Sequence, residues 1–376
     1  MRVAHVNLLP APRGLGIDEV LECWPSLPDI AEVAAHGGVR VSVLQAAWQA
    51  GRSTRNGIDY HFVDISGTVA TSWRARRFAR ALAEIGAEVL HAHSLGFIED
   101  VYAISRCLSP ALPVLIQDHA DRLPRWWRRH GLRRRYSIAS GIAFTSIDLA
   151  RPFIEAGLLG PLTRLFEIPE SSSRFTPGDR AGARTDTGLH GNPCVLSIGH
   201  LSRGKDPLSV LDGIALAARR LPDLHLWCVF GSAPMMPAVQ ARIERDPRLR
   251  ECVHLLGRVP HARIETLLRA SDLFVSGSHS EGSGYAAIEA IACGITPVLT
   301  DIPAFRALTG EGRIGHLWPR GNPERLAEAL CGAVENGCSR QRVRAHFDAT
   351  LSFSAVGRRW ADAYAQLLED RWRRAA

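Results

Sequence analysis

Two carboxylates and a single lysine are the side chains in this sequence best suited to binding an anionic ligand that is rich in hydroxyl groups. Glu281 precedes a glycine-rich segment, and Glu289 follows it inside an almost wholly apolar run. A carboxylate in apolar surroundings is rarely a merely solvated group, and carboxylates accept hydrogen bonds from paired hydroxyls well. Lys205 is the only lysine among the 45 basic residues. We expect the two glutamates to bind hydroxyl groups and Lys205 to supply a compact positive charge.

Both groups lie where a predicted strand ends and a predicted helix begins. A turn between residues 199 and 207 carries Lys205, and residues 281–285 lead into the helix that contains Glu289. The N–H groups and the dipole of a helix N-terminus favour an anion such as a pyrophosphate. Purely structural interpretations remain open, with Glu281 as a helix cap, Glu289 as a solvated side chain and Lys205 as a chance surface lysine.

The elements that must position these residues alternate between strands and helices along the chain. Strands are predicted at 2–9, 39–44, 88–93, 113–117, 140–145, 194–198, 224–230, 253–256, 272–276 and 296–299. Helices are predicted near 72–85, 97–107, 207–220, 235–245, 261–269, 284–292 and 353–373, with a further helix from Ser146. This alternation implies parallel sheets and two doubly wound, Rossmann-like α/β domains. We expect the two domains to face a cleft at the carboxyl ends of their strands, where such folds bind ligands.

The chain has 376 residues, which suits two domains of ordinary size. We predict an N-terminal domain over residues 1–170 and a C-terminal domain over residues 193–350. Residues 171–192 are rich in serine, proline and glycine, which favours a linker. Residues 351–376 are predicted to form a helix that packs back towards the N-terminal domain.

The two turn segments together resemble those of glycosyltransferase family 4. The pattern is Gly199-His-Leu-x-x-x-Lys205, followed by Glu281 and Glu289, which are separated by seven residues in an EGxG…EAxACG context. The resemblance spans most of the second half of the chain and implies the two-domain GT-B fold. It further implies a retaining glycosyltransferase that binds a nucleotide-sugar donor in the C-terminal domain and its acceptor on the N-terminal side.

The resemblance also implies roles for individual residues. Glu281 contacts the donor sugar, Glu289 binds the nucleotide ribose, and Lys205 holds the diphosphate together with a second basic group. The family usually has arginine where this chain has His200, so the second group is either Arg203 or a protonated His200. The remaining donor-side residues are Gly282, Ser283, Gly284 and Tyr285 towards the phosphates, Arg258 and Val259 towards the base, and Gly14 and Gly16 in the loop after the first strand.

On the acceptor side, His93 and His119 each follow or end a predicted strand, at the carboxyl edge where such chemistry should lie. Family members carry a histidine at the end of the second of these strands, near the reacting carbon. We therefore take His119 as catalytic, together with Glu281 and Lys205, and keep His93 as the alternative. A structural role at a strand end stays open for either histidine.

The resemblance fixes the expected chemistry as well. No Asp-x-Asp pair occurs in the sequence, so nothing indicates a divalent metal on the diphosphate, and no cofactor is expected besides the donor substrate. No obvious nucleophile is available for the anomeric carbon. Retention then implies a front-side displacement in which the leaving phosphate takes the acceptor's proton, and the protein stabilises that phosphate electrostatically.

The acceptor is expected to be a glycan or a lipid-linked molecule of polysaccharide biosynthesis. The segment from Arg122 to Arg135 mixes arginines with Trp126 and Trp127, which is typical of segments at anionic lipid surfaces. A solvated basic loop beside the acceptor site is the open alternative. No run of about 18 apolar residues occurs, and the short apolar N-terminus is typical of a first strand. We expect a cytoplasmic protein, peripheral on the inner face of the membrane if this segment binds lipid.

Other classes of function remain as alternatives. The net charge of +7 suits anionic partners, but the basic residues are scattered and no nucleic-acid-binding motif is present, so we expect no nucleic-acid partner. The spacing of the two glutamates argues against a sugar phosphorylase or an epimerase on the same fold. His200 leaves open a degenerate transferase that binds the nucleotide sugar without transferring it.

Overall fold

The structure is a computed structural model that describes residues 1–67 and 70–375. Its contacts divide the chain into two compact units. Unit 1 comprises Met1–Ser172 together with the C-terminal segment from Phe353, and unit 2 comprises Ser173–Ser352.

Unit 1 is built on one mainly parallel sheet. Its strands in the described residues are β1 (Arg2–Asn7), β2 (Arg40–Ala47), β3 (Gly51–Arg55), β4 (Ile58–Asp64), β5 (Val89–His93), β6 (Val114–Gln117), β7 (Gly141–Phe144) and β8 (Arg164–Glu167). They lie in the order β3-β4-β2-β1-β5-β6-β7-β8, with β3 antiparallel to β4 and the other pairs parallel. The chain runs from β1 to one side and later returns to β5 on the other, so the switch point of the sheet lies between β1 and β5.

Unit 2 has a parallel sheet of the same kind. Its described strands are β9 (Cys194–Ile198), β10 (His225–Val229), β11 (Val253–Gly257), β12 (Leu273–Ser276), β13 (Thr296–Thr300) and β14 (His316–Trp318), in the order β11-β10-β9-β12-β13-β14. Here the switch point lies between β9 and β12, which pair in parallel. The segments after these two strands carry Lys205 and Glu281.

Helices cover both faces of each sheet. In chain order the described helices are α1 (Ile17–Cys23), α2 (Ser26–Ala35), α3 (Thr71–Glu84), α4 (Ile98–Cys107), α5 (Trp126–Tyr136), α6 (Arg151–Glu155), α7 (Arg180–Thr187), α8 (Pro207–Ala217), α9 (Met236–Glu244), α10 (Pro247–Cys252), α11 (His261–Ala270), α12 (Tyr285–Ala292), α13 (Pro303–Thr309), α14 (Pro323–Asn336), α15 (Arg340–Thr350) and α16 (Phe353–Ala375). Each unit has two apolar cores, one on each side of its sheet. The predicted fold class, two doubly wound Rossmann-like α/β domains, is confirmed.

The last helix of the chain completes the core of unit 1. It packs against α2, and the contact is close because glycines meet there: a Cβ added at Gly37 would overlap the Gly357 carbonyl, and one added at Gly357 would overlap the Val33 carbonyl. The side chains of Trp360 and Tyr364 on α16 are fully buried in this core. Burying such a side chain stabilises a fold by about 1.5–3 kcal/mol, so α16 is an integral part of unit 1.

The segment predicted as a linker over 171–192 differs from that prediction, because part of it is folded into unit 2. Helix α7 begins after Asp179, whose carboxylate accepts hydrogen bonds from the N–H groups of Ala181 and Gly182 at 3.0 Å each. It ends at Gly188, which adopts φ = 73°. The helix packs on α11, so the connection between the units is shorter than the serine-rich composition indicates.

Two further findings concern the start of α3 and the search for a membrane-spanning helix. The helix predicted near 72–85 is α3, which begins at Thr71 with Ala70 as the capping residue. Among the described residues, no helix is both long enough and apolar enough to cross a bilayer.

Candidate active site

The site in unit 2 is organised by the close approach of the two segments that follow β9 and β12. Gly277, directly after β12, lies against the turn that precedes α8. A Cβ at this position would come within 3.0 Å of the carbonyl oxygens of Lys205 and Asp206, and within 2.9 Å of Val210. Only glycine allows this contact of backbone with backbone, and the contact brings Lys205 next to the segment that carries Glu281.

Lys205 and Glu281 form an ion pair at the switch point. The Lys205 ammonium contacts Oε1 of Glu281, and their side chains are 34% and 15% exposed. Lys205 ends a 3₁₀ turn and is followed by Asp206, which adopts φ = 43° and caps α8 by accepting the N–H of Ser209. The other Asp206 carboxylate oxygen lies 2.9 Å from Nε2 of His279. The turn is therefore fixed on both sides of the lysine.

His200 presents a defined donor beside this turn. Its side chain is exposed, and its Nδ1 accepts the backbone N–H of Ser232 at 3.2 Å. In a neutral imidazole with Nδ1 as acceptor, the proton lies on Nε2. His200 can thus donate a hydrogen bond to an anion even without a positive charge. Arg203 lies exposed on the same turn, so both predicted partners of Lys205 are accessible.

The glycine-rich segment shapes the N-terminus of α12. Gly284 adopts φ = 66°, and a Cβ there would lie 3.0 Å from Leu308 and 3.2 Å from Phe305. Ser283 is buried, whereas Gly282 and Tyr285 are half-buried. The N-terminus of a helix is the positive end of its dipole, so this turn places the positive end of α12 directly after the glycine-rich segment.

Glu289 lies just over one turn into α12 and has a histidine as its neighbour. Alanine and isoleucine residues on either side are buried, and the Glu289 side chain is 14% exposed. Its Oε1 lies 2.7 Å from Nε2 of His261, the first residue of α11, whose ring stacks on Phe175. Arg258 and Val259, exposed and half-buried respectively, lie just before α11. His261 is a site residue that the sequence did not reveal, because only the fold brings α11 against α12.

Unit 1 contains a continuous chain of hydrogen-bonded side chains that includes both predicted histidines. Nδ1 of His119 lies 2.5 Å from the Glu170 carboxylate, and its Nε2 lies 3.2 Å from Nδ1 of His93. The series of hydrogen bonds continues from Nε2 of His93 to Nδ1 of His5 at 3.1 Å, and from Nε2 of His5 to the Tyr364 hydroxyl at 3.2 Å. His91 ends it, with Nδ1 2.7 Å from the same hydroxyl.

The direction of this chain follows from its protonation. Burial lowers the pKa of His5 to about 3 and holds the pKa values of His91 and His93 well below the ordinary range, so all three are neutral at pH 7. A neutral imidazole offers one donor and one acceptor. With a neutral His119 donating its Nδ1–H to the carboxylate of Glu170, each ring donates towards Glu170 and the Tyr364 hydroxyl donates to His5. A protonated His119 also donates from Nε2 to His93, and the hydrogen bonds beyond it then run in the opposite direction.

The pKa of His119 is shifted in the opposite direction from those of the other three histidines. Burial lowers its pKa, but the hydrogen bond and charge of Glu170, with smaller contributions from Asp121 and Asp118, outweigh burial and raise the pKa. The Asp121 carboxylate also accepts the N–H of Leu95 at 2.7 Å and the hydroxyl of Ser94 at 2.6 Å. These contacts join the turns after β5 and β6, so His93 and His119 act as one hydrogen-bonded group.

The predicted glycines of unit 1 lie in the loop between β1 and α1. Gly14 adopts φ = 83°, and a Cβ there would meet no atom within 4 Å. Gly16 caps α1, and its N–H donates to the Glu19 carboxylate at 2.6 Å. The Gly16 amide is thus already engaged inside the loop.

The part of unit 2 that carries the site is similar to a known protein family. Residues 180–346 match the family described as glycosyl transferases group 1. The match covers the turns that carry Lys205, Glu281 and Glu289. The resemblance to a glycosyltransferase family, which the sequence motifs predicted, is confirmed.

Individual relatives are similar over the same half of the chain. The chain is 29% identical to the D-inositol 3-phosphate glycosyltransferase of Mycobacteroides abscessus over 52% of this chain and 44% of that protein. It is 28% identical to the phosphatidyl-myo-inositol mannosyltransferase of Mycobacterium tuberculosis over 46% of each. The chain therefore spans about half the length of the curated relatives it matches.

Solved structures extend the similarity to both units as far as the fold is concerned. The crystal structure of Anabaena HepE in complex with UDP and glucose matches 96% of this chain and 99% of that chain, with a TM-score of 0.69 and 18% sequence identity. At that identity the likeness concerns the fold alone, which is of the GT-B type.

Proposed function

We propose that this protein is a retaining glycosyltransferase that moves a sugar from a nucleotide-sugar donor to a glycan or lipid-linked acceptor without a divalent metal. The observation that carries the proposal is the half-buried ion pair of Lys205 and Glu281 at the switch point of unit 2. It supplies a cation for a diphosphate and a carboxylate for sugar hydroxyls within contact distance of each other. The family match over residues 180–346 and the UDP complex of the structural neighbour support the same assignment.

The donor's three parts correspond to three features of unit 2. In the proposal, Glu281 accepts hydroxyl groups of the sugar, and Glu289, held by His261, accepts those of the ribose. Lys205, His200 and the N-terminus of α12 hold the diphosphate, and Arg258 and Val259 line the place of the base. Each assignment pairs a chemical group with the donor or acceptor that suits it.

The chemistry proposed is a front-side displacement. As the bond from the anomeric carbon to the phosphate oxygen breaks, negative charge grows on the diphosphate. That phosphate takes the proton of the attacking acceptor hydroxyl, and the new glycosidic bond forms on the face that the leaving group vacates. Lys205 and the Nε2–H of His200 stabilise the charge as it develops, which accelerates the reaction because the stabilisation is largest in the transition state.

His119 is proposed as the acceptor-side catalytic group, with Glu170 and His93 holding its ring through hydrogen bonds on its two nitrogens. Because its pKa is raised, His119 stays protonated to a higher pH than an ordinary histidine does. In the proposal, the Nε2–H of a protonated His119 exchanges His93 for an oxygen atom of the reacting molecules when they bind.

Peripheral membrane binding is proposed for helix α5. Trp126 and Trp127 at its start are 75% and 58% exposed, and the helix carries a run of arginines. Aromatic rings and arginines together suit an anionic lipid surface. Arg128 and Arg135 also pair with Glu99, at 3.3 Å and 3.1 Å, so part of the positive charge is compensated within the unit. Lipid-linked acceptors would fit this surface.

The deciding experiment is a thermal-shift screen of UDP-, GDP- and ADP-sugars, followed by transfer assays with the donor that binds. We expect one nucleotide class to raise the melting temperature, and EDTA to leave both binding and transfer intact. An absolute need for Mg²⁺ or Mn²⁺ would contradict the proposed phosphate site. Binding without transfer to any glycan or lipid-linked acceptor would favour the degenerate, binding-only alternative that His200 keeps open.

A further inference from the structure

Three histidines of unit 2 lie together at the amino ends of the strands of its sheet. Lys205 and Glu281 lie at the opposite side, after the carboxyl ends of the strands. His225 is the first residue of β10, His254 lies in β11, and His190 lies in the loop between α7 and β9. One ring nitrogen from each histidine lies within 4.8 Å of those of the other two. The group, here named the edge histidines, takes no part in the proposed transfer.

The sheet itself orients two of the edge histidines. Side chains alternate along a strand, and Trp227 of β10 is in register with His254 of β11, so His225, Trp227 and His254 share one face. The Trp227 ring stacks on His254 with centroids 3.9 Å apart. Nδ1 of His225 lies 2.9 Å from Nε2 of His254. Two imidazole nitrogens therefore face each other in a fixed arrangement.

The third histidine is held over this pair by its loop. Trp227 Nε1 donates to the backbone carbonyl of His190 at 3.1 Å. Gly191 adopts φ = 118°, and a Cβ there would come within 2.8 Å of the His225 side chain, so only glycine lets the loop pass so close. Arg184 donates to the Gly191 carbonyl at 3.1 Å. These contacts fix the backbone of His190 against β10.

His190 also has the outer hydrogen bond that metal-binding histidines usually have. Its Nδ1–H donates to the Gly188 carbonyl at 3.2 Å, which leaves the lone pair on Nε2. Such a bond to a backbone carbonyl fixes the tautomer and orientation of a ligating imidazole. His190 is exposed, so an ion could enter from solvent.

We propose that the edge histidines bind a divalent transition metal, with Zn²⁺ as the best match and a fourth position open to water. Zinc takes neutral imidazole nitrogens at about 2.0–2.1 Å in tetrahedral geometry, which separates two ligand nitrogens by roughly 3.3 Å. The observed 2.9 Å between His225 and His254 needs only a small opening of the two rings. One of these two facing nitrogens carries the proton of their hydrogen bond, and that proton would move to the outer nitrogen of the same ring when a metal binds.

The bound metal would tie the loop of residues 188–192 to strands β10 and β11. It would stabilise unit 2 by mass action, because only the folded loop and strands bring the three rings together. The diphosphate site lies at the other edge of the sheet, so this role is structural and independent of whether the chain transfers sugar.

The test uses the full chain, stripped with EDTA and dialysed into metal-free buffer. Calorimetric titration with ZnCl₂ should give one ion per chain, Zn²⁺ should raise the melting temperature, and Co²⁺ should give the intense visible absorption of a four-coordinate site. His190→Ala removes the most exposed ligand and should abolish all three signals while its melting temperature in EDTA stays that of the wild type. His130→Ala, an exposed histidine of unit 1, is the control and should bind normally.

Two results would overturn the proposal. One is absence of Zn²⁺ binding to the wild type, and the other is unchanged binding by His190→Ala. In the second case, loss of binding in His93→Ala would assign the ion to the buried histidines of unit 1. His254→Gln, which keeps a polar side chain beneath Trp227, serves as the second ligand variant should His190→Ala melt early.

Discussion

At the scale of single residues, the pairing of Lys205 with Glu281 accounts for two opposite charges in one half-buried site. Each charge compensates the other, so the desolvation of both is partly offset by their attraction. Removing one partner therefore has two consequences: its own contact with a ligand is lost, and the remaining charge is left uncompensated. Substitutions in this pair must be interpreted with both effects in mind.

Lys205 should be the residue least tolerant of change. Lys205→Ala removes the cation that we propose to stabilise the leaving diphosphate, and we expect turnover to fall by about 10²–10³-fold. Lys205→Arg keeps the charge, but the longer planar guanidinium should misplace it and break the geometry with Glu281, so little activity should return. The measurement is kcat and donor KM, with folding checked by thermal melting. Near-normal turnover of Lys205→Arg would show that a compact charge is not needed.

Glu289 should contribute to nucleotide affinity. Glu289→Ala leaves ribose hydroxyls without an acceptor in a mostly buried place, which should weaken nucleoside diphosphate binding by about 1–3 kcal/mol. His261→Ala should weaken it less, because His261 acts only by holding the carboxylate. Calorimetric titration gives both values, with the exposed Glu324→Ala as the matched control. Equal affinity in wild type and Glu289→Ala would remove the ribose assignment.

His119 should affect transfer and not nucleotide binding. His119→Ala should lower kcat while the affinity for nucleoside diphosphate stays within error, because the proposed diphosphate ligands belong to unit 2. Glu170→Gln should keep the shape of the pair but remove the charge that raises the pKa of His119. The pH profile of kcat should then shift to lower pH. Undiminished transfer by His119→Ala would leave only a structural role for this histidine.

At the scale of helices and strands, the sequence predicts the elements whose interiors are apolar and misses those whose role depends on packing. The strands at both switch points are apolar runs, and their predicted positions agree with β1, β5, β9 and β12 within about two residues. The hairpin of β3 and β4 was missed because β3 is a polar, mostly exposed edge strand. Its turn, Asn56-Gly57, with both residues at positive φ, is the signal that could have revealed it.

The candidate site was predictable to a similar extent. Lys205, Glu281 and Glu289 stand out by residue type and spacing alone. Their partners do not: His261 reaches Glu289 only through the packing of α11 on α12, and Glu170 reaches His119 from a segment 51 residues further along the chain. Long-range neighbours of this kind leave no periodicity in a single sequence, so they emerge only from the fold.

Gly277 offers a test of the element packing that forms the site. Gly277→Ala places a methyl group against the carbonyls of Lys205 and Asp206, which forces the two turns apart. We expect a loss of about 1–3 kcal/mol in stability and reduced turnover through displacement of Lys205. Gly204→Ala is the matched control, since a Cβ there meets no atom within 4 Å in the same turn. If both variants melt and turn over alike, the close approach of the turns is not what positions the lysine.

At the scale of the whole molecule, the C-terminal helix ties the end of the chain to the centre of unit 1. Tyr364 of α16 contacts His5 of β1 and His91 of β5, the strands that flank the switch point. Trp360 packs against His91 with ring centroids 4.8 Å apart and the rings tilted by 39°. The stability of unit 1 therefore depends on neutral histidines that lie between its sheet and the last helix of the chain.

This dependence predicts that acid destabilises the protein well before its ordinary carboxylates titrate. In the folded state the pKa values of His5, His91 and His93 are lowered by burial, whereas in the unfolded chain each takes up a proton below about pH 6.5. Below that pH the unfolded state binds more protons, so stability falls as pH falls, by up to about 1.4 kcal/mol per group and pH unit. Asp118 and His119 act in the opposite direction, because burial raises the pKa of Asp118 to about 6 and Glu170 raises the pKa of His119.

The three buried histidines alone should cost about 4 kcal/mol between pH 7.5 and pH 5.5, and Asp118 and His119 reduce that loss. Urea unfolding at the two pH values gives the total, and hydrogen exchange in peptides covering β1, β5 and α16, corrected for the intrinsic rate, localises it to unit 1. His5→Gln cannot gain a proton in either state, so its loss should be smaller by about one group's share, while exposed His130→Ala should match the wild type. A stability that stays level over this range, or that falls equally in His5→Gln, would mean that the buried histidines are not what the acid protonates.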